Sequence, residues 1–302
     1  MSLRDHSEHY PTVDEVLESN IDEVPGLQRP VMLVALEGWF DAAKAATTAL
    51  DWLTDSRHCV TVATIDPDPF FDFTQVRPEV WIDEDDERHI RWPENEITVV
   101  HGDTDGRDLV VLSGVEPHLN WPTFVSCVVR CARELDCGAV VTVGAMLDAV
   151  PHTRTPTVTG STTNAALAGK LGLSRPQYEG PTGVVGVLLE RLEQERIPTV
   201  SLRVGVPHYL ASSEHPKSSA ALLRHIERVL NVPTQHAGLY EDIQRWTELH
   251  DAAVEEDEQT QEYVQMLEGE YDRRNDTAIP TADDLGDAFE RFLREQGEGH
   301  GD

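Results

Sequence analysis

The stretch "VMLVALEGWFDAAKAATTALDWL", residues 31–53, decides the fold. Val31 to Leu36 form an unbroken apolar run, the pattern of a strand covered on both faces. The run breaks at Gly38, places Trp39 and Phe40 at the break, and gives way to a helix nearly free of bulk. Ala42, Ala43, Ala45, Ala46, Thr47 and Ala49 keep that helix thin, so another backbone can approach it closely, and Asp41 is placed to cap its first turn. A phosphate loop would need several glycines here or a G-x-x-x-x-G-K-[ST] pattern, and neither is present. Two readings of Trp39 and Phe40 stay open: a plug for the sheet edge, or a recognition edge of aromatics beside small residues.

Working outward, the polar segment 1–29 ends in a Pro/Gly turn at Pro25, Gly26 and Pro30. Strand patterns follow at 31–36, 59–65, 97–101, 109–113, 139–143 and 198–204, with a shorter pair near 79–82 and 88–92. Helical patterns fall at 41–53, 121–136, 161–171, 182–196 and 216–230. Pro122 suits a first helical turn, Gly138 a helix end, Ser161 a cap and Pro216 a helix opening. This alternation predicts an α/β protein, a three-layer α/β/α sandwich with a mostly parallel central sheet, over residues 30–232. Beyond residue 233 the β signal vanishes. Residues 233–295 read as an acidic helical appendage, anchored by an apolar stripe of Val254, Tyr263, Val264, Met266, Leu267 and Tyr271, and residues 296–302 as a disordered tail.

Composition narrows the partners. The chain of 302 residues carries 24 basic and 55 acidic side chains, a net charge of −31, which excludes a nucleic-acid footprint and disfavours anionic membranes. No window reaches the roughly 18–20 apolar residues of a membrane span, and the polar N-terminus has no signal region, so a cytoplasmic protein is expected. Cys59, Cys127, Cys131 and Cys137 lack zinc spacing and read as reduced thiols. Neither a metal nor another cofactor is expected.

Chemistry-bearing residues recur just after strands: Pro117-His118, Pro151-His152 and Pro207-His208. In a parallel sheet these histidines share the carboxyl edge with Asp41, Glu116, Asp148 and Arg154, where α/β folds bind ligands. Three imidazoles with carboxylates suit acid–base chemistry, although Pro-His after a strand is also an ordinary turn. Ser113 is not in a nucleophile elbow. The loop holding Gly180, Thr182 and Gly183 precedes a helix and offers backbone donors to an anion.

Taken together, "GWFDAAKAA" (38–46), "LSGVEPHLNW" (112–121), "VGAMLDAVPHTRTPTVTG" (143–160) and the stretch from "YEGPTGVVG" to "LLRHI" (178–226) resemble the proteasome assembly chaperone 2 family in its long, actinobacterial form. The resemblance implies a fold like that of nucleoside phosphorylases and a protein partner, proteasome subunits among the candidates. It also implies homo-oligomers. Some relatives end in a hydrophobic-Tyr-x tail that docks between proteasome subunits, a pattern that "GEGHGD" does not match. The expected function is a non-catalytic protein-binding module. The alternative is a hydrolase or transferase acting on a small anionic substrate at the histidine edge. Convergence of Glu116, His118, His152 and His208 in one concave pocket would favour the enzyme; separate packing would favour the binding module.

Overall fold

The computed structural model describes residues 10–102, 106–211, 213–275, 286 and 288–294. The expected disordered tail, 296–302, lies outside them. A short helix α1 (Val13–Val16) leads into strand β1 (Leu17–Ser19). Then follow β2 (Val31–Glu37), α2 (Ala45–Asp55), β3 (Cys59–Ile65), the hairpin β4 (Glu79–Ile82) and β5 (Arg88–Arg91), β6 (Asn95–Val100) and β7 (Leu109–Val115). Next come α3 (Trp121–Glu134), β8 (Ala139–Asp148), β9 (Val158–Ser161), α4 (Ala165–Leu171), α5 (Val184–Gln194), β10 (Thr199–Pro207) and α6 (Pro216–Leu230). Helices α7 (Tyr240–Glu255) and α8 (Glu258–Asn275) follow, and residues 288–294 are helical again.

The main sheet runs β1-β3-β6-β7-β2-β8-β10-β9, and β4 and β5 form a separate two-stranded sheet. The central strands β7, β2, β8 and β10 are mutually parallel. Toward the edges, β6, β3, β1 and β9 pair antiparallel. The reason for β6 lies in its connection to β7 through residues 101–108, which is too short for a parallel crossover. Polar segment 1–29 thus contributes an edge strand to the sheet from its described part.

Side chains of β2 alternate between the two layers, as a pleated strand requires. Val31, Leu33 and Ala35 join one core with α2, α6, Leu167 and Leu171 of α4, and Phe289. Met32, Val34 and Leu36 join the other, with α3, α5, Val16, Phe70 and Phe71. The α/β/α sandwich with C-terminal helices is therefore the architecture, as expected. The thin face of α2 is buried within the chain: Ala45, Ala46, Ala49 and Leu50 are fully covered, and Ser219 of α6 donates to the Ala45 carbonyl at 3.0 Å. Small residues on both helices permit that approach.

Three local readings are corrected. The helix expected at 161–171 begins at Ala165, and its cap is Asn164, whose Oδ1 accepts the Leu167 N–H at 2.9 Å. Ser161 instead ends β9, paired with Ser201. Helix α3 terminates through Asp136 in the left-handed region (φ 52°), and the N–H of Gly138 already donates to Pro30 O at the start of β8. Of the tail stripe, Val264, Leu267 and Tyr271 are buried while Met266 stays half exposed.

Candidate functional site

Because the central strands are parallel, the loops after β2, β7, β8 and β10 emerge on one edge. The edge divides into two halves.

On the β2/β7 half the organising group is Glu116. Its Oε2 accepts the Trp39 N–H at 2.7 Å and its Oε1 accepts the Val184 N–H at 3.1 Å. One carboxylate thus clasps the turn after β2 to the first turn of α5, where the helix dipole favours negative charge. The loop of Gly180, Thr182 and Gly183 ends at this clasp, where a Cβ on Gly183 would meet Glu116 Oε1 at 2.8 Å. Gly38 is required for the same clasp: its φ is +154°, and a Cβ there would lie 2.4 Å from Glu116 Oε2.

Asp41 is buried and caps α2 from upstream, accepting from Ala46 N (2.7 Å), Thr47 N (3.2 Å) and Thr47 Oγ1 (2.5 Å). Burial raises its pKa above the usual carboxylate value despite these donors. Phe40 packs inward on Gly144, where a Cβ would meet its ring at 2.0 Å, and its carbonyl accepts the Ala145 N–H at 2.9 Å. The two aromatics thus part company, Phe40 plugging the sheet and Trp39 standing 66% exposed. Trp39 lines a groove of about 850 Å³ with Glu116, His118, Arg77, Arg91 and Trp92. His118 is held by the backbone: its Nδ1 accepts the Asp72 N–H at 3.0 Å.

On the β8/β10 half, α7 and α8 cover the edge. His152, 1% exposed, binds Tyr209 Oη through Nδ1 (2.8 Å) and Asp251 of α7 through Nε2 (3.1 Å). Burial keeps its pKa below the normal imidazole value, outweighing Asp251. Arg154 forks onto Asp272 (3.0 and 2.9 Å) and reaches Glu268 (3.0 Å), both on α8. His208 bonds Tyr263 Oη of α8 and the Asp148 carbonyl, each at 3.1 Å, while the exposed Asp148 carboxylate accepts the Ala149 N–H at 2.7 Å. Tyr271 closes the cover through Thr157 and Thr155.

Residues 35–254 match the PAC2 family, most of the chain. The chain belongs to the PAC2 family. A solved PAC2 family protein from Streptomyces avermitilis shares 38% identity over 78% of this chain and 99% of that one, with a TM-score of 0.72. The proteasome-assembly chaperone homologue of Mycobacterium tuberculosis shares 35% identity over 78% and 99% of the two chains, with a TM-score of 0.69. A protein of unknown function from the same organism, 28% identical, covers 96% of this chain and 99% of its own length with a TM-score of 0.78. No curated protein matches the sequence.

In this PAC2 chain the histidines share an edge but not a pocket. His118 belongs to the open groove, whereas His152 and His208 are tied into the helical cover. Among the described residues one group could gather around a cation, Asp83, Glu87 and His89 at the β4–β5 turn. There Asp83 already accepts the Asp85 and Glu87 N–H groups and the His89 ring, which closes the hairpin. Sequence reading missed the groove residues Arg77, Arg91 and Trp92. The aromatic and arginines flanking the short strands 79–82 and 88–92 were the available signal, but only the tertiary fold swings that hairpin beside Trp39.

Proposed function

We propose that this PAC2 protein is a non-catalytic binding module whose partner is a proteasome-related protein, engaged through the groove at the β2/β7 half of the edge. The carrying observation is that the expected chemical groups are used internally: Glu116 and Asp41 hold backbone amides, His118 holds a loop, and His152 and His208 hold the appendage. What remains accessible is recognition surface, with Trp39 66%, Leu119 53% and Trp92 44% exposed. Arg77 and Arg91 stand at the groove without an ion-pair partner among the described residues. Exposed tryptophan with arginine is the composition of an interface hot spot. The naming of one relative as a proteasome-assembly chaperone homologue directs the choice of partner.

Self-association belongs to the same proposal, but not through α2, whose small face is spent on α6. The hairpin β4–β5 exposes Val80, Trp81, Ile82 and Ile90, and a two-stranded sheet is marginal in water without cover. A second copy is the cover we propose, and light scattering of the chain against Ile82→Glu tests it: the mass should fall to one chain. A monomeric unsubstituted chain removes this element.

The partner test is binding of the purified chain to purified proteasome α-subunits, followed by biolayer interferometry. Trp39→Ala should weaken binding roughly thirtyfold or more while leaving the circular dichroism unchanged. No binding to α-subunits, or equal binding by the variant, overturns the reading.

A further inference from the structure

Away from both halves of the edge, the β4–β5 turn reads "DEDDERH", Asp83 to His89. Ligand atoms of Asp83, Glu87 and His89 there all lie within 4.8 Å of one another. Acidic side chains on an exposed turn are no site by themselves, because water satisfies them. The imidazole makes the difference, together with the way it is held.

His89 stands directly opposite Trp81 across the hairpin, and the two rings stack with centroids 4.6 Å apart and 24° between their planes. The stack fixes the plane of the imidazole, and its Nε2 meets Asp83 Oδ2 at 2.7 Å. The other oxygen of Asp83 is tied down: Oδ1 accepts the N–H of Asp85 at 3.0 Å and that of Glu87 at 2.9 Å. A carboxylate oriented by backbone amides presents its second oxygen at a set position, the kind of outer support that metal ligands use. Glu87 is exposed, and its carboxylate has no hydrogen-bond or ion-pair partner among the described residues. It is free to swing in to the separation of roughly 3.3 Å that neighbouring ligands of a tetrahedral zinc ion have. One imidazole nitrogen with two carboxylate oxygens is a donor set for zinc, whereas calcium and magnesium favour oxygen throughout. Glu84, Asp85 and Asp86, exposed in the same turn, add negative potential that draws a cation in without ligating it.

We propose that the β4–β5 turn binds one zinc ion through His89 Nε2, an Asp83 carboxylate oxygen and a Glu87 carboxylate oxygen, with water completing the shell. The ion takes the place of the hydrogen between Nε2 and Asp83, and the bound ring is the neutral tautomer with its proton on Nδ1. All three ligands come from one chain, and Trp81 and His89 lie on the face of the hairpin opposite Val80, Ile82 and Ile90. The site therefore depends neither on the partner nor on the second copy proposed above.

The test is isothermal titration of the full chain, stripped with a chelator, against zinc chloride and, in a second arm, calcium chloride. Saturable 1:1 zinc binding is expected, with calcium at least tenfold weaker and a shift of the His89 Nε2 resonance in nitrogen-15 spectra. His89→Gln keeps a donor for Asp83, so the circular dichroism should be unchanged. Zinc binding should nevertheless weaken at least tenfold, because a carboxamide is a poor zinc ligand. Glu87→Gln should weaken it by a similar factor. Glu84→Gln, the same change of charge outside the ligand set, should alter it by less than about threefold. A chain without saturable zinc binding overturns the proposal. Equal losses for Glu84→Gln and Glu87→Gln would reveal diffuse attraction to an acidic turn and overturn it as well, as would zinc binding that ignores His89→Gln or calcium bound as tightly as zinc.

Discussion

The two halves of the carboxyl edge start from the same materials and end differently. Each follows parallel strands and each carries Pro-His after a strand, yet the β2/β7 half is an open groove and the β8/β10 half lies under α7 and α8. The difference arises from what each half is joined to. Glu116 draws the β2 turn onto α5 and leaves Trp39 outside, whereas His152, Arg154 and His208 meet Asp251, Glu268, Asp272 and Tyr263. A strand edge is thus a generic platform. The partner element, internal or external, assigns its use.

Removing the cover breaks the comparison most strongly. A chain ending at Asn231 loses Leu239, Trp246, Val264, Leu267, Tyr271 and Phe289, all buried. At about 2 kcal/mol per large buried side chain the loss is on the order of 10 kcal/mol, comparable with the whole stability of a domain. The expected result is aggregation in light scattering. A soluble truncated chain with an unchanged melting temperature would show that the cover is dispensable.

Acid sharpens the contrast next. His215 has a folded pKa of about 4 against an ordinary 6.5, so the unfolded chain binds protons first as pH falls. Its contribution is complete above pH 6.5 and is lost as pH falls toward 4, about 3 kcal/mol in all. His152, shifted in the same direction, adds to this. Urea midpoints from pH 7.5 to 4 should therefore drop more steeply for the chain than for His215→Gln. Parallel curves would refute the assignment.

The open half is best probed through its packing. Gly144→Ala drives a methyl into the Phe40 ring and should cost about 2 kcal/mol, read as a lower urea midpoint with an unchanged slope. Glu116→Gln keeps one acceptor for two amides and should cost about 1 kcal/mol. If it instead abolished binding to α-subunits without loss of stability, Glu116 would belong to the interface itself.

Much of this was legible in advance because buried parallel strands announce themselves as apolar runs; the strands near 31, 109, 139 and 199 sit where those runs lie. The edge strands β1 and β9 escaped, since Leu17–Ser19 and Val158–Ser161 are short and half polar, and their pairing energy comes from neighbours distant in sequence. His215 escaped too, although it precedes Pro216 at a helix start, where the preceding residue is the cap.

By itself, the sequence determined the layered α/β class, the carboxyl edge as the meeting place of Gly38, Asp41, Glu116, His118, His152 and His208, and an acidic helical end. These follow from local periodicity and from the rule that parallel strands share a direction. Only the tertiary structure decided which of those residues face outward. Whether a carboxylate clasps a helix or an imidazole stays free depends on side chains up to 118 positions away, as between Arg154 and Asp272, and hydrogen-bond satisfaction at such separations leaves no periodic trace in the chain.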